Sequence, residues 1–147
     1  MKKPLSILLA LIMCVSMCAC EYEREKIEKT LPETTWTNAN TYPLTYSVYD
    51  FQNDGHLYID EYSRWSGKEE ILRSYYCSYS VATYDDVTHI SIILVAKKTA
   101  EDTDYKTLSG PIDETRKITL IATYEDECLK LFYKEVELDR LYSYSLR

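Results

Sequence analysis

Residues 71–98 read ILRSYYCSYSVAT, then Tyr84 and Asp85-Asp86, then VTHISIILVAKK, and this segment is the clearest indication of the fold. Large and small side chains alternate in both halves, and in the first half the large ones share one face: Ile71, Tyr75, Cys77, Tyr79 and Val81. A period of two is typical of a β-strand with one buried face. Because Asp85-Asp86 leaves room only for a tight turn, the two halves are predicted to pair as an antiparallel hairpin.

The same pattern continues on both sides of this hairpin. Asp54-Gly55 is a strong signal for a two-residue hairpin turn between two further strands. The pattern predicts six strands in addition to the central pair: residues 34–39 around Trp36, 44–51, 56–63, 116–124, 128–136 and 141–146. Residues 99–111 are polar and contain Gly110-Pro111, which indicates a loop. Long segments with a helical period are absent from the sequence.

About eight strands in chain order, joined by short turns, form a meander. A meander of this size can close on itself and remove its exposed edges, so we expect one antiparallel up-and-down barrel. The main alternative is a two-sheet β-sandwich, which needs longer crossover connections. Only residues 99–111 are long enough to provide one.

Residues 1–19 have the layout of a secretion signal. A basic start is followed by an apolar run, residues 5–17, that is shorter than the roughly 20 residues of a membrane-spanning helix. Met17-Cys18-Ala19-Cys20 resembles the lipobox of bacterial lipoproteins, in which the last cysteine receives diacylglycerol and fatty acyl chains. The resemblance implies lipid attachment at Cys20 and an outer-membrane location. The alternative is an ordinary secretion signal with incidental cysteines.

The sequence therefore divides into a signal peptide (1–19), a lipid anchor with a charged tether (20–30) and a β-domain (31–147). The acidic tether resembles the surface-export signal of Bacteroidetes lipoproteins, which leaves the cell surface and the periplasmic face both open. The full chain has 17 basic and 24 acidic residues, a net charge of −7. Loss of Lys2 and Lys3 with the signal leaves 15 basic residues and a net charge of −9. This acidity argues against binding to nucleic acid or to anionic lipid headgroups.

The β-domain resembles the lipocalin-like (calycin-type) lipoproteins of Bacteroidetes. The matching features are Trp36 on the first strand, the hairpin 51–55, the tyrosine-rich strand 75–79, the alternation of Leu129 and Leu131, and a closing strand that ends in Arg147. In that family a Gly-x-Trp opens the first strand and a basic residue of the last strand packs over the Trp. Here Thr34-Thr35-Trp36 lacks the glycine, and Arg147 or Arg140 would supply the basic group. The resemblance implies a small barrel and a ligand inside it.

Aromatic residues are the candidates for ligand contact. We predict a ligand-binding role for Trp65, which lies near a turn, and for Tyr62 and Tyr79. Trp36 is predicted to fill the core, because a large ring on a first strand is usually buried. A set of tyrosines is expected to point inward and fill the barrel, or else to offer hydroxyl groups to a ligand: Tyr75, Tyr79, Tyr124 and Tyr133.

Cys77 and Cys128 are the remaining cysteines of the β-domain. An oxidising exterior allows a disulfide, but the strand phases point their side chains to opposite faces, which opposes one. His56 and His89 are far apart in sequence, and motifs for catalysis, phosphate binding or metal binding are absent from it. We therefore predict a monomeric, non-catalytic protein without a cofactor that binds a small hydrophobic or glycan ligand. The alternative is a filled barrel that interacts with or inhibits a protein of the outer membrane.

Overall fold

The computed structural model describes residues 27, 29–84, 87–125 and 127–143. Within these ranges the chain forms nine β-strands: β1 Thr34–Thr37, β2 Thr45–Phe51, β3 His56–Ser63, β4 Glu70–Tyr84, β5 Val87–Thr99, β6 Lys106–Thr107, β7 Lys117–Glu125, β8 Cys128–Tyr133 and β9 Val136–Ser143. In the part of the chain that is described, no helix is long and apolar enough to cross a membrane.

Eight of the strands form a closed antiparallel ring in the order β1–β2–β3–β4–β5–β7–β8–β9. The ring closes where β9 returns to β1, at Trp36 opposite Ser143 and Thr37 opposite Tyr142. The ninth strand, β6, pairs with the end of β5. The predicted up-and-down barrel is thus confirmed and the sandwich is wrong. Residues 99–111 contain β6 and serve as a connection on the barrel wall rather than as a crossover between sheets.

One end of the barrel is filled by apolar side chains. Trp36 is only 1% exposed, and its ring meets Tyr124 edge to face with centroids 6.0 Å apart. Ile27 and Leu31 also bury their side chains in this core, and a backbone bond from Leu31 N–H to Ile27 C=O (3.0 Å) holds them in one helical turn. The chain therefore enters the barrel at this end, which we call the closed end. The predicted burial of Trp36 is confirmed.

The last hairpin differs from its prediction. β8 ends at Tyr133 and β9 begins at Val136, so the predicted strands 128–136 and 141–146 have wrong bounds. Lys134 and Glu135 form a two-residue turn with φ of 48° and 68°. Positive φ at both positions belongs to a type I′ turn, for which Asn-Gly is the usual sequence. The Lys-Glu pair does not carry that signal. Residues 144–147, including Arg147, lie outside the described residues.

One register shift and one strand end also change predicted positions. The β3–β4 register shifts between Glu61 and Tyr62, which leaves Leu72 as an extra residue and exposes Ile71. A β-bulge of this kind puts the side chains before it and those after it in opposite phases. Tyr133, predicted to point into the barrel, lies at the tip of the last hairpin and is 39% exposed. The inward positions of Tyr75, Tyr79 and Tyr124 are confirmed, since all three pack against the core.

Candidate functional site

The other end of the barrel is open and contains a cavity of about 490 Å³, which we call the mouth cavity. It opens at the end where β2, β4 and β7 begin, opposite the closed end. Its lining comes from β2, β3, β4, β5 and the start of β7: Ser47, Tyr49, Ile59, Glu61, Tyr75, Cys77, Ile92, Leu94, Glu114, Thr115, Arg116, Lys117 and Ile118.

The deeper wall of the mouth cavity is apolar because the inward phases of three strands meet there. Tyr49, Ile59 and Tyr75 are direct neighbours across β2, β3 and β4. Leu94 faces Cys77 across the β4–β5 pair, and Ile118 faces Ile92 across the β5–β7 pair. Tyr49 and Tyr75 point inward here, but the smaller side chains between them and β7 leave the interior partly unfilled. The prediction that inward tyrosines fill the barrel interior therefore holds at the closed end. It does not hold at the open end, where the cavity remains.

A buried polar group lies beside this apolar wall. The Asp139 carboxylate accepts hydrogen bonds from the Tyr49 hydroxyl (3.0 Å) and the Asn38 side-chain amide (2.9 Å), both at Oδ2. Asn38 also accepts a hydrogen bond from the Ser47 N–H at 2.6 Å. Burial raises the pKa of Asp139 above its ordinary value, although these hydrogen bonds oppose the shift. Burial, and secondly the nearby Asp139 charge, raise the pKa of Tyr49, so its hydroxyl stays a donor.

Charged groups line the entrance. Arg73 lies 3.7 Å from the Glu61 carboxylate, and Glu61 lines the cavity. The Arg116 guanidinium donates to the backbone carbonyls of Leu94 (3.2 Å, Nη2) and Gly110 (2.9 Å, Nη1). These bonds tie residues 110–116 to the end of β5, so this loop forms one side of the entrance.

The two described cysteines are free thiols. Cys77 lines the mouth cavity, and burial raises the pKa of its thiol to about 11. Cys128 lies in the strand phase opposite to that of the inward residues Leu129 and Leu131. Burial also raises the pKa of the Cys128 thiol. The predicted opposition of the two side chains explains why no bridge forms between them.

The three predicted ligand-contact residues do not come together. Trp65 lies in the β3–β4 turn at the open end, 73% exposed, with its indole N–H on the Thr45 hydroxyl at 3.1 Å. Tyr62 faces outward and stacks on Tyr46, with centroids 5.2 Å apart. Tyr79 points inward, but its hydroxyl donates to the Gln52 carbonyl at 2.9 Å. None of the three lines the mouth cavity, and ligand contact by them stays a prediction.

The sequence offers two basic residues for packing over Trp36, Arg140 and Arg147. Arg140 instead pairs with Glu137, with its Nε 3.0 Å from the carboxylate, and it occupies the phase opposite to the inward residues Asp139 and Leu141. The expectation that Arg140 covers Trp36 is therefore wrong. Arg147 lies outside the described residues.

A row of aromatic rings runs across the outer wall. Tyr76 stacks on His56 and packs against Tyr58, each at 5.2 Å between centroids, and Tyr105 of the β5–β6 connection adds to the row at 6.4 Å. The imidazole of His56 also pairs with Asp54 at 2.8 Å. The row lies on the opposite face of β3 and β4 from the mouth cavity.

Sequence reasoning missed the residues that define the interior polar group. Asn38 was placed in the first strand, and Asp139 fell in a predicted connection. Asp139 lies two residues before Leu141 and so shares its inward phase. A predicted last strand that began before residue 139 would have identified it as an inward acid. Among the described residues, no three His, Cys, Asp or Glu side chains lie close enough together to hold a metal ion.

Comparison of the chain with protein-family models, curated proteins and solved structures finds no match. The resemblance to lipocalin-like lipoproteins therefore stays a prediction, while the barrel itself is shown.

Proposed function

We propose that this protein is a non-catalytic cell-envelope lipoprotein that binds a small, largely hydrophobic molecule in the mouth cavity. The observation that carries the proposal is the cavity itself. Its volume of about 490 Å³ falls within the range of roughly 300–1,000 Å³ typical of small-molecule sites. Its deep wall is apolar and its entrance is charged, an arrangement that orients an amphipathic molecule.

The chemistry of the wall favours a hydrophobic ligand over a glycan. Ile59, Ile92, Leu94 and Ile118 offer no hydrogen-bonding groups to sugar hydroxyls. The Tyr49 hydroxyl, which belongs to the lining, already donates to Asp139. The charged lining residues Glu61, Glu114, Arg116 and Lys117 belong to the entrance. Burial of apolar ligand surface against this wall contributes about 25 cal/mol per Å².

Membrane attachment through Cys20 and an outer-membrane location complete the proposal. They rest on the lipobox-like residues 17–20, which lie outside the described residues. Acyl chains on Cys20 would contribute about 0.8 kcal/mol for each buried CH₂ group, and two or more chains give stable anchoring.

The proposal is tested by filling the cavity. The protein is titrated with N-phenylnaphthylamine, an uncharged probe that fluoresces in apolar surroundings. In the variant Ile59→Trp the larger ring occupies the cavity, and we expect the dissociation constant to rise by roughly tenfold or more. The matched control is Tyr58→Trp, on the same strand but on the outer face, where Tyr58 is exposed. Circular dichroism verifies that both variants keep the barrel. Equal probe binding by wild type and a folded Ile59→Trp variant would contradict the proposal.

A second candidate is a protein-interaction module, which the outer aromatic row favours. Exposed tyrosines are enriched at protein interfaces, and Tyr58 and Tyr105 are both exposed. The two candidates differ in which variant impairs function in the cell. Ile59→Trp acts on the cavity, whereas Tyr58→Ala with Tyr105→Ala acts on the outer wall.

A further inference from the structure

The exposed apolar side chains of this protein gather at one end. Four segments surround the opening of the mouth cavity, and we call them the mouth rim: residues 38–44, 64–73, 97–117 and 133–138. Of the twelve large hydrophobic residues that are exposed in the described part of the chain, ten belong to the rim segments, and one of these ten, Tyr105, packs in the outer aromatic row. The most prominent are Tyr42, Leu44, Trp65, Ile112, Val136 and Leu138.

Each segment of the mouth rim contributes at least one such side chain, so they form a ring of projections rather than a flat patch. Val136 is 62% exposed and Ile112 is 55% exposed. Single exposed apolar residues are ordinary, but a concentration of them marks an interaction surface.

The charge of the mouth rim differs from that of the remaining barrel. The four rim segments contain nine basic and nine acidic residues, whereas the other described residues contain three basic and eight acidic ones. The net charge is therefore zero over the four rim segments and −5 over the other described residues, which include Glu61 at the entrance. A protein surface of zero net charge gains no long-range electrostatic attraction to a charged partner. It also experiences no electrostatic repulsion from a partner of zero net charge.

We propose that the mouth rim docks on a lipid surface of zero net charge. Tryptophan and tyrosine side chains with a polar tip suit the boundary between headgroups and acyl chains. Separate loops that each insert one or two apolar side chains suit a fluid surface, because it adapts to them without a matching shape. The strongly acidic remainder of the barrel would keep off anionic membranes.

This inference rests on the proposed function and deepens it. A hydrophobic ligand is sparingly soluble in water, and a rim seated on lipid joins the apolar cavity directly to the phase in which that ligand dissolves. The ligand class would then be a membrane-soluble molecule that enters and leaves through the open end. The barrel is complete within residues 34–143, so the docking can be measured without the lipid anchor.

The test uses the chain from residue 21 onward and vesicles of phosphatidylcholine. The two tryptophans act as reporter and reference, because Trp65 is exposed at the rim and Trp36 is buried at the closed end. We expect vesicles with brominated acyl chains to quench Trp65 and leave Trp36 unquenched. Since the contact is apolar, the vesicle affinity should stay the same when salt is raised from low to high concentration.

The variant Leu44→Ser/Ile112→Ser/Val136→Ser removes one side chain from each of three rim segments. We expect it to lower the vesicle affinity at least tenfold. The control Tyr58→Ser/Tyr84→Ser changes the two exposed large hydrophobic residues outside the rim and should bind vesicles like wild type. The inference is overturned by a failure of wild type to bind, by equal loss in both variants, or by binding that requires anionic lipid. It is also overturned if wild type forms dimers without vesicles that the triple variant does not form.

Failure of this inference can be separated from failure of the proposed function. The triple rim variant retains every residue that lines the mouth cavity. It should therefore bind N-phenylnaphthylamine in solution with the wild-type dissociation constant. Loss of vesicle binding with intact probe binding supports the inference. Probe binding without any vesicle binding by wild type overturns it and leaves the proposed function standing.

Discussion

Asp139, Asn38 and Tyr49 show how single residues hold this barrel closed. Among the described residues, β1 and β9 pair at only two positions, Trp36–Ser143 and Thr37–Tyr142. The side-chain bonds from Asn38 and Tyr49 to Asp139 cross the same seam, at 2.9 and 3.0 Å. They therefore add polar contacts where backbone pairing is shortest.

Removal of the Asn38 side chain should weaken the closure of the barrel. Asn38→Ala leaves the Asp139 carboxylate with one donor fewer and the Ser47 N–H without the 2.6 Å bond to the Asn38 amide oxygen. Unsatisfied buried groups cost about 1–3 kcal/mol each, so we expect a loss of this size in urea denaturation. Asn53→Ala, at an exposed asparagine bonded to Glu33, is the control and should change stability by less than about 0.5 kcal/mol. Equal effects of the two variants would refute this role.

The raised pKa of Asp139 makes a pH-dependent contribution to stability. Because the folded-state pKa lies above the unfolded one, the folded state binds the proton more tightly. Above a pH of about 3.9, the ordinary pKa of an aspartate, stability is lost as the pH rises through the folded-state pKa. We expect the free energy of unfolding of wild type, measured relative to Asp139→Asn, to fall over this interval. A difference that stays constant or rises between pH 4 and pH 8 would argue against this assignment.

At the scale of strands and turns, alternation identified every strand of the ring. Residues 71–98 gave the central hairpin, and the bounds of β2 and β3 follow the predicted turns within a residue. The errors of face arise where one residue is inserted, whereas the wrong bounds of β8 and β9 arise at the Lys134-Glu135 turn. The extra residue at Leu72 turned Ile71 outward. Further shifts lie between Tyr76 and Cys77 in the β4–β5 pair and between Leu131 and Phe132 in the β8–β9 pair. A bulge leaves the local composition unchanged, so a pattern of period two does not reveal it.

The interior site was less accessible to sequence reasoning than the fold. The mouth cavity exists because the inward side chains fill less volume than the closed barrel encloses. The enclosed volume is set by all eight strands of the ring together, so no single segment of the sequence predicts it. The alternation pattern identified Tyr75, Cys77, Ile92 and Leu94 as inward residues. It did not predict that a cavity remains between them. Trp65 could be identified as an exposed turn residue, although its place in a ring of rim residues requires the folding of four distant segments.

Substitution of the β8–β9 turn residues is expected to raise the free energy of unfolding. Lys134 and Glu135 adopt positive φ, a conformation that costs residues other than glycine roughly 1–2 kcal/mol each. Lys134→Asn/Glu135→Gly introduces the sequence that type I′ turns favour and should raise the free energy of unfolding by about 1 kcal/mol. The control Glu135→Asn/Val136→Gly moves the Asn-Gly pair by one residue and should lower it. A gain in the control, or a loss in the first variant, would contradict the assigned turn.

At the scale of the whole molecule, the described start of the domain and the mouth lie at opposite ends. Ile27 and Leu31 are buried in the closed end, so the chain leads from there towards Cys20. Seven residues span at most about 25 Å when extended. A lipid at Cys20 would thus lie within this distance of the closed end.

The anchor itself is open to a direct test in the native cell envelope. Cys20→Ala should abolish incorporation of a fatty-acid probe and prevent removal of the signal, because the acceptor thiol is missing. Cys18→Ala keeps that acceptor and should be labelled and processed like wild type. Continued labelling of the Cys20→Ala protein would disprove attachment at Cys20.

The central claim, that a hydrophobic ligand occupies the mouth cavity, is tested most directly by the reactivity of Cys77. In the chain from residue 21 onward with Cys128→Ser, Cys77 is the remaining cysteine and lines the cavity. We predict that saturating N-phenylnaphthylamine slows alkylation of Cys77 at least tenfold, while Cys128 in the matched Cys77→Ser variant reacts at the same rate with and without the probe. If bound probe leaves the alkylation rate of Cys77 unchanged, the ligand lies elsewhere and the claim is wrong.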